Sequence, residues 1–143
     1  MKTSFRILLL LLMGLLTSVV LGQQSNTWTD PVTGLMWAKQ DNDNTVTWDQ
    51  GTSYCANLSL AGSSDWRLPT IDELADLYDQ TQNVFSFHIK GNIRLSACCP
   101  WSCSTGRDSG TAWSFRFTDG KRYTTRRGDG LGHRALCVRR GGE

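Results

Sequence analysis

Five cysteines set behind an apolar leader constrain this 143-residue chain more than any other feature. Lys2 and Arg6 precede an apolar stretch from Ile7 to Leu16, and Thr17, Ser18, Val19 and Val20 follow it, the layout of a secretory signal peptide. The stretch is too short to cross a bilayer of about 30 Å, which takes roughly 20 apolar residues as a helix. Polar Gln23, Gln24, Ser25 and Asn26 come next, and no cysteine stands there to carry a lipid. We expect a signal peptide over residues 1–22, cut after Gly22 with Val20 and Gly22 at the recognition positions, and no membrane span after cleavage. The remaining chain is then secreted, periplasmic or held at the cell surface.

In such an oxidising compartment thiols tend to pair, so Cys55, Cys98, Cys99, Cys103 and Cys137 read as a disulfide framework. Four cysteines allow three pairings and a fifth leaves connectivity open. Cys98, Cys99 and Cys103 are local to one another, so one pair is expected among them, leaving Cys55 for Cys137. Zinc is the rival, with His88 or His133 as a fourth ligand to the three clustered thiolates. Structural zinc sites favour two ligand pairs, each two to four residues apart. Adjacent cysteines followed by a single one make a poor chelate, so no metal is expected and a free thiol suits the spacing better.

Removing residues 1–22 from 143 leaves 121, a length suited to one domain, here 23–143, with one apolar core. The leader takes Lys2 and Arg6 with it, leaving 13 basic and 13 acidic residues. A net charge of zero argues against nucleic acid and other simple polyanion binding by the whole molecule. The distribution is lopsided, however. From Gln23 to Gln80 only Lys39 and Arg67 oppose nine acidic residues, whereas from Thr81 onward eleven basic residues oppose Asp108, Asp119, Asp129 and Glu143.

Two helix starts are legible. Thr47 with Gln50 forms a capping box, predicting a helix to about Leu58 with Trp48, Tyr54, Cys55 and Leu58 inward, weakened by Gly51. Thr70 with Glu73 forms another behind Pro69, and Ile71, Leu74, Leu77 and Tyr78 make an apolar stripe opposite Asp72, Glu73, Asp76 and Asp79. Trp113, Phe115 and Phe117 alternate with polar residues before Asp119 and Gly120, predicting a strand, a type I′ turn and a returning strand over 121–125. A last strand is expected over 134–139, with short extended pieces at 34–39 and 101–104. The sum is an α+β domain: two helices early, an antiparallel sheet late and long glycine-containing loops.

The motifs DPVTGLMWAK (30–39), TWDQGTSYC (47–55), DWRLPTIDEL (65–74), WSCST (101–105), FRFTDG (115–120) and RALCVR (134–139) together resemble the Lcl C-terminal domain family, found in bacterial secreted and surface proteins. The block Trp66, Arg67, Leu68, Pro69, Thr70 with Glu73 is the most specific part. The resemblance implies a C-type-lectin-like fold, with two helices, a twisted antiparallel sheet and a disulfide from the first helix to the last strand. That is the Cys55 to Cys137 pair. The family usually has Trp-Ser-Ser where Trp101, Ser102 and Cys103 stand, so the cysteine cluster looks like a local addition that staples a loop. The Glu-Pro-Asn, Gln-Pro-Asp and Trp-Asn-Asp motifs of calcium-dependent lectins are absent from the sequence, so that chemistry is not carried over.

Among candidate sites, Asp41, Asn42, Asp43 and Asn44 could form a calcium loop. No glycine at the sixth loop position and no glutamate at the twelfth supports that, and a solvated turn reads better. Trp66 and Arg67 belong to packing. Arg116, Lys121, Arg122, Arg126, Arg127 and Arg134 are the candidate ligand-binding set, with Arg116 and its neighbours expected opposite Trp113, Phe115 and Phe117. Arginines fork onto sulfates, phosphates or carboxylates. Alternatively these cations pair with the acidic half, within the domain or between subunits.

Some members of the resembling family act as adhesive modules for sulfated polysaccharides. The expectation is therefore a non-enzymatic binding or adhesion module without cofactors, its partner an anionic polysaccharide or a surface protein. A structural or oligomer-forming module is the alternative. An oxidase like the formylglycine-generating enzyme, using Cys98 or Cys99 with Cys103, is the more distant one. Only His88 and His133 could act as acid-base groups near neutral pH, and neither sits in a nucleophile motif.

Overall fold

The computed structural model describes residues 25–142. The signal peptide expected over 1–22 lies outside the described residues. Among those described, no helix is long and apolar enough to cross a membrane.

The chain opens with two short strands, β1 (Thr27–Thr29) and β2 (Leu35–Ala38), which form an antiparallel pair. Helices α1 (Trp48–Ala56) and α2 (Ile71–Leu77) follow. Both start where the capping boxes place them. The Thr47 hydroxyl accepts from the Gln50 amide while the Gln50 side chain accepts from the Thr47 amide, and Thr70 and Glu73 repeat the exchange. Strands β3 (Cys99–Thr105), β4 (Thr111–Arg116), β5 (Lys121–Arg126), β6 (His133–Arg134) and β7 (Val138–Arg140) complete the order. The protein is an α+β domain.

Two sheets form. One runs β1-β2-β7 and ties the first strands to the last; the other runs β5-β4-β3-β6. The second departs from the all-antiparallel expectation, because β6 lies parallel to β3. The predicted strand over 134–139 is also split. Its middle, Ala135 to Cys137, lies outside the ladder registers: the Ala135 amide donates to Asn42 Oδ1 in a loop, and the Cys137 carbonyl accepts from Ala38 at the end of β2.

Every residue from Ala135 to Val138 is buried, and alternate side chains enter different cores. Leu136 and Val138 join Trp37, Leu74, Leu77, Ile89, Ile93, Phe115 and Phe117. Ala135 and Cys137 join Cys55, Trp66, Leu68, Trp101 and Ala112. The period of two that normally separates core from solvent here separates one core from the other, so the segment is apolar throughout. Within β2, Trp37 and Ala38 divide in the same way.

Three local expectations are corrected. Tyr54, read as inward on α1, is 39% exposed, and its place on the buried face is taken by Gly51. In β4, Trp113 is half-buried while Ala112 and Ser114 on the other face are buried, because β4 is covered from both sides. The hairpin turn is not the two-residue type I′ form. Arg116 pairs with Lys121, so four residues, 117–120, make the connection, and the Gly120 amide closes it on the Arg116 carbonyl. Gly120 sits at φ +72, and a Cβ there would press on the Tyr78 ring at 2.8 Å. The position therefore needs glycine for both reasons.

Gly51 is different. A Cβ there would meet Trp101, Ala135 and Val46 at 3.5, 3.6 and 3.6 Å, ordinary contact distances. Glycine inside a helix is less stable than alanine by about 0.5–1 kcal/mol. Gly51→Ala is therefore expected to raise stability by roughly that amount and the melting temperature by ~2–5 °C in thermal denaturation. A lower melting temperature would mean the α1 contact with Trp101 is tighter than described.

Candidate functional site

The cysteines fix what the surface can present. Cys55 in α1 is bonded to Cys137, which leads into β7, with their Cα atoms 5.5 Å apart. Cys98 is bonded to its neighbour Cys99, the one pair expected in the cluster, and Cys103 is free and exposed. Cys103 stands four residues further along β3, a separation of roughly 13 Å at the rise of a strand. It therefore cannot exchange with the Cys98–Cys99 pair without unfolding β3. Although the residue is exposed, partial shielding of its thiol pushes the pKa above its ordinary value, with the Arg67 charge pulling the other way, which makes it a weak nucleophile at neutral pH. With Cys98 and Cys99 oxidised, the zinc set considered from the sequence lacks two of its three thiolates. Among the described residues no cluster of three or more His, Cys, Asp or Glu side chains is placed to hold a metal ion.

The other polar groups singled out in the sequence are largely consumed by the fold. Asp41 is buried, its Oδ2 accepting from the Ser96 amide at 2.7 Å and its Oδ1 from the Ser96 hydroxyl and the Asp43 amide. Asn42 bonds Ala135 and Asn44. The 41–44 segment is thus a turn anchored on two distant chain segments. Trp66, Leu68 and Pro69 are buried, and Trp66 Nε1 donates to the Ser63 carbonyl. Arg67 forks onto Glu73 at 2.7 and 2.9 Å. Burial of Glu73 pushes its carboxyl upward, but the Arg67 fork and the Thr70 amide outweigh this and hold it below the usual carboxylate range. His133 stacks on Trp101 with ring centroids 4.1 Å apart, and burial lowers its pKa against the opposing pull of the Leu131 carbonyl. His88 Nδ1 lies 2.8 Å from the Gln82 carbonyl oxygen.

The six candidate ligand-binding cations do not share one face. Residues directly opposite each other in an antiparallel pair point the same way. Arg122 faces Phe115 and Arg126 faces Thr111, on one side of the hairpin, whereas Arg116 and Lys121 face each other on the opposite side. Arg122 reaches Asp72 of α2 at 2.8 Å. Arg116 pairs with Asp119 at 3.4 Å and lies 4.1 Å over the Tyr123 ring. Arg127 lies 4.3 Å over Trp48, and Arg134 donates to Ser96 Oγ and Thr45 Oγ1. Lys121 and Arg126 are exposed, and neither forms a side-chain hydrogen bond or ion pair among the described residues.

One concavity went unread in the sequence. A cleft of about 670 Å³ opens between the end of β2, α1 and the 84–94 segment, with Lys39, Tyr54, Leu58, Leu60, Val84, Phe85 and Arg94 on its walls. Phe85 is 69% exposed, and the Arg94 guanidinium lies 4.7 Å over its ring. The stretch after Gln80 alternates apolar Phe85, Phe87 and Ile89 with polar Ser86, His88 and Lys90, a strand-like signal that points away from a cleft wall, yet the segment forms only isolated bridges, Val84 with Phe87 and Tyr78 with Ile89.

A comparison with known families matches residues 26–139 to the Lcl C-terminal domain. No curated protein matches the chain.

Proposed function

The chain belongs to the Lcl C-terminal domain family, and from that premise we propose that it is a secreted, non-enzymatic binding and adhesion module that holds an anionic polysaccharide through cations of the β4–β5 hairpin. The observation that carries this is the imbalance of ion pairing. Of the eleven basic residues beyond Gln80, ion pairs among the described residues engage Arg116, Arg122 and Arg139. Those of Arg122 with Asp72 and Arg139 with Asp65 are the pairs that join the basic half to the acidic half. The rival in which the two halves neutralise each other within the domain would need far more. Lys121 and Arg126, on opposite faces of the hairpin, exposed and unpaired among the described residues, are left to meet an outside anion from either side.

The Cys55–Cys137 bond fits the C-type-lectin-like arrangement that we read into the α+β fold, since it joins the first helix to the segment entering the closing strand. Two features support a non-enzymatic role: a cysteine pair bonded to itself and a third thiol, exposed on β3, whose pKa is raised.

The protein is expected to be retained on heparin at low salt and to elute as salt rises, with Lys121→Gln/Arg126→Gln eluting at lower salt. Flow-through of the unaltered protein at low salt contradicts the proposal. A salt-dependent shift in elution volume on size exclusion, without heparin retention, would assign the free charges to self-association instead.

A further inference from the structure

The cleft between α1, the end of β2 and the 84–94 segment plays no part in the polysaccharide binding proposed above. Its lining sets the apolar Leu58, Leu60 and Val84 beside polar groups, among them the cations Lys39 and Arg94. Neither cation forms an ion pair among the described residues; of the two carboxylates near Arg94, Asp41 has its oxygens turned to Ser96 and the Asp43 amide, and Asp43 lines the adjoining concavity without pairing with it. Arg94 is nevertheless held in place from both ends. Its amide donates to the Lys39 carbonyl at 2.8 Å, its carbonyl accepts from Asp41, and its guanidinium rests on Phe85.

The backbone of this wall is strained. Phe85, Ser86 and Asn92 adopt φ of 51, 75 and 53, a region that side-chain-bearing residues avoid. They are three of the five non-glycine residues with positive φ among those described. In the case of Phe85 the strain delivers a large apolar ring to solvent rather than to a core, the reverse of what folding alone favours. Tyr54 adds a second half-open ring across the cleft. A concave site that sets apolar and aromatic side chains beside a small number of charged groups is the pattern of a small-ligand pocket.

We infer that this cleft binds an organic carboxylate with an apolar body, the body lying against Leu58, Val84 and Phe85 and the carboxylate forking onto Arg94 with Lys39 beside it. A neutral apolar ligand would leave both cations unanswered. A bare inorganic anion would leave the aromatic wall wet. The carboxylate can belong to a free small acid or to the C-terminus of a peptide.

The probes are 4-phenylbutyrate and its neutral amide, followed by ligand-detected NMR on the purified protein. The acid is expected to bind with Kd on the order of 1 mM and roughly 5-fold or more tighter than the amide. Arg94→Gln should remove that preference while leaving amide binding as it was. Phe85→Gly should weaken both ligands, with a melting temperature at or above that of the unaltered protein because glycine relieves the positive φ. Lys121→Gln/Arg126→Gln should bind the acid unchanged. N-acetyl-Gly-Phe with a free C-terminus, set against phenylbutyrate, assigns the source: tighter binding of either one supports the site and names its ligand as peptide end or free acid. No binding of the acid, equal binding of acid and amide, or loss of binding in the hairpin variant overturns the inference. Failure on heparin alone touches only the hairpin, and failure here alone touches only the cleft.

Discussion

Replacing both Cys55 and Cys137 by alanine is expected to lower the melting temperature by roughly 10–20 °C, which corresponds to about 3–4 kcal/mol for a domain of this size. The bond spans 82 residues. Restricting so long a loop in the unfolded chain stabilises the folded state by about 4.5 kcal/mol in the chain-entropy account, a value that residual structure in the unfolded chain reduces. Both sulfurs are buried in the core around Trp66 and Trp101, so alanine adds a small loss of packing to the entropic effect. The matched comparison is Cys98→Ser/Cys99→Ser. That bond joins neighbours in sequence and closes almost no loop, so its removal should move the melting temperature far less. Equal shifts in the two double variants would show that the long bridge does not act by restricting the unfolded chain.

Trp101→Ala is expected to cost about 3–5 kcal/mol, enough to unfold a marginal domain at moderate temperature. Trp101 is fully buried, donates from Nε1 to the Val46 carbonyl at 2.8 Å, stacks on His133 and approaches the backbone of Gly51 in α1. It thereby joins β3, β6, the loop before α1 and α1 itself. Trp101→Phe keeps most of the apolar volume and the stack but leaves the Val46 carbonyl without its donor, and should cost about 1–3 kcal/mol. Urea unfolding followed by circular dichroism separates the two, and the phenylalanine variant keeps the comparison readable if the alanine variant does not fold. A cost below about 1 kcal/mol for Trp101→Ala would mean that the second core collapses around the gap, contrary to the packing described. Because Trp101 and the Cys55–Cys137 bridge share one core, combining the changes should give less than the sum of the separate losses.

The parts of the fold legible in the sequence were those decided within a few residues. A threonine three positions before Gln50 or Glu73 satisfies its own helix start, so both capping boxes read correctly from the chain. The strands of the hairpin also read correctly, because alternation over 113–117 is local. Its turn did not. Asp119–Gly120 suggested a two-residue connection, but the pairing of Arg116 with Lys121 is set by how β4 seats between two layers, information that lies elsewhere in the chain. Gly51 reads as a weakness in α1 and remains one, since it faces Trp101 on the buried side with room for a Cβ. The run from Ala135 to Cys137 looked like ordinary strand and is a partition between two cores.

The surface was less legible than the core for the same reason. The cations of the hairpin could be counted, but which of them found an acid depended on α2 bringing Asp72 under Arg122. The cleft wall was not legible because the alternation over 85–90 suggests a strand, whereas positive φ at Phe85, Ser86 and Asn92 bends the segment and brings Phe85 against Arg94, nine residues on.

The sheet that unites β1, β2 and β7 has a consequence for the order of events during synthesis. Its strands come from residues 27–38 and 138–140, so a ribosome must deliver nearly the whole domain before that sheet can close. The early tryptophans, Trp37 above all, then wait uncovered for Leu136 and Val138 to arrive. Contacts between such distant parts of a chain form slowly. A nascent chain of this kind stays pliable enough to be threaded until its final stretch emerges, and only then locks.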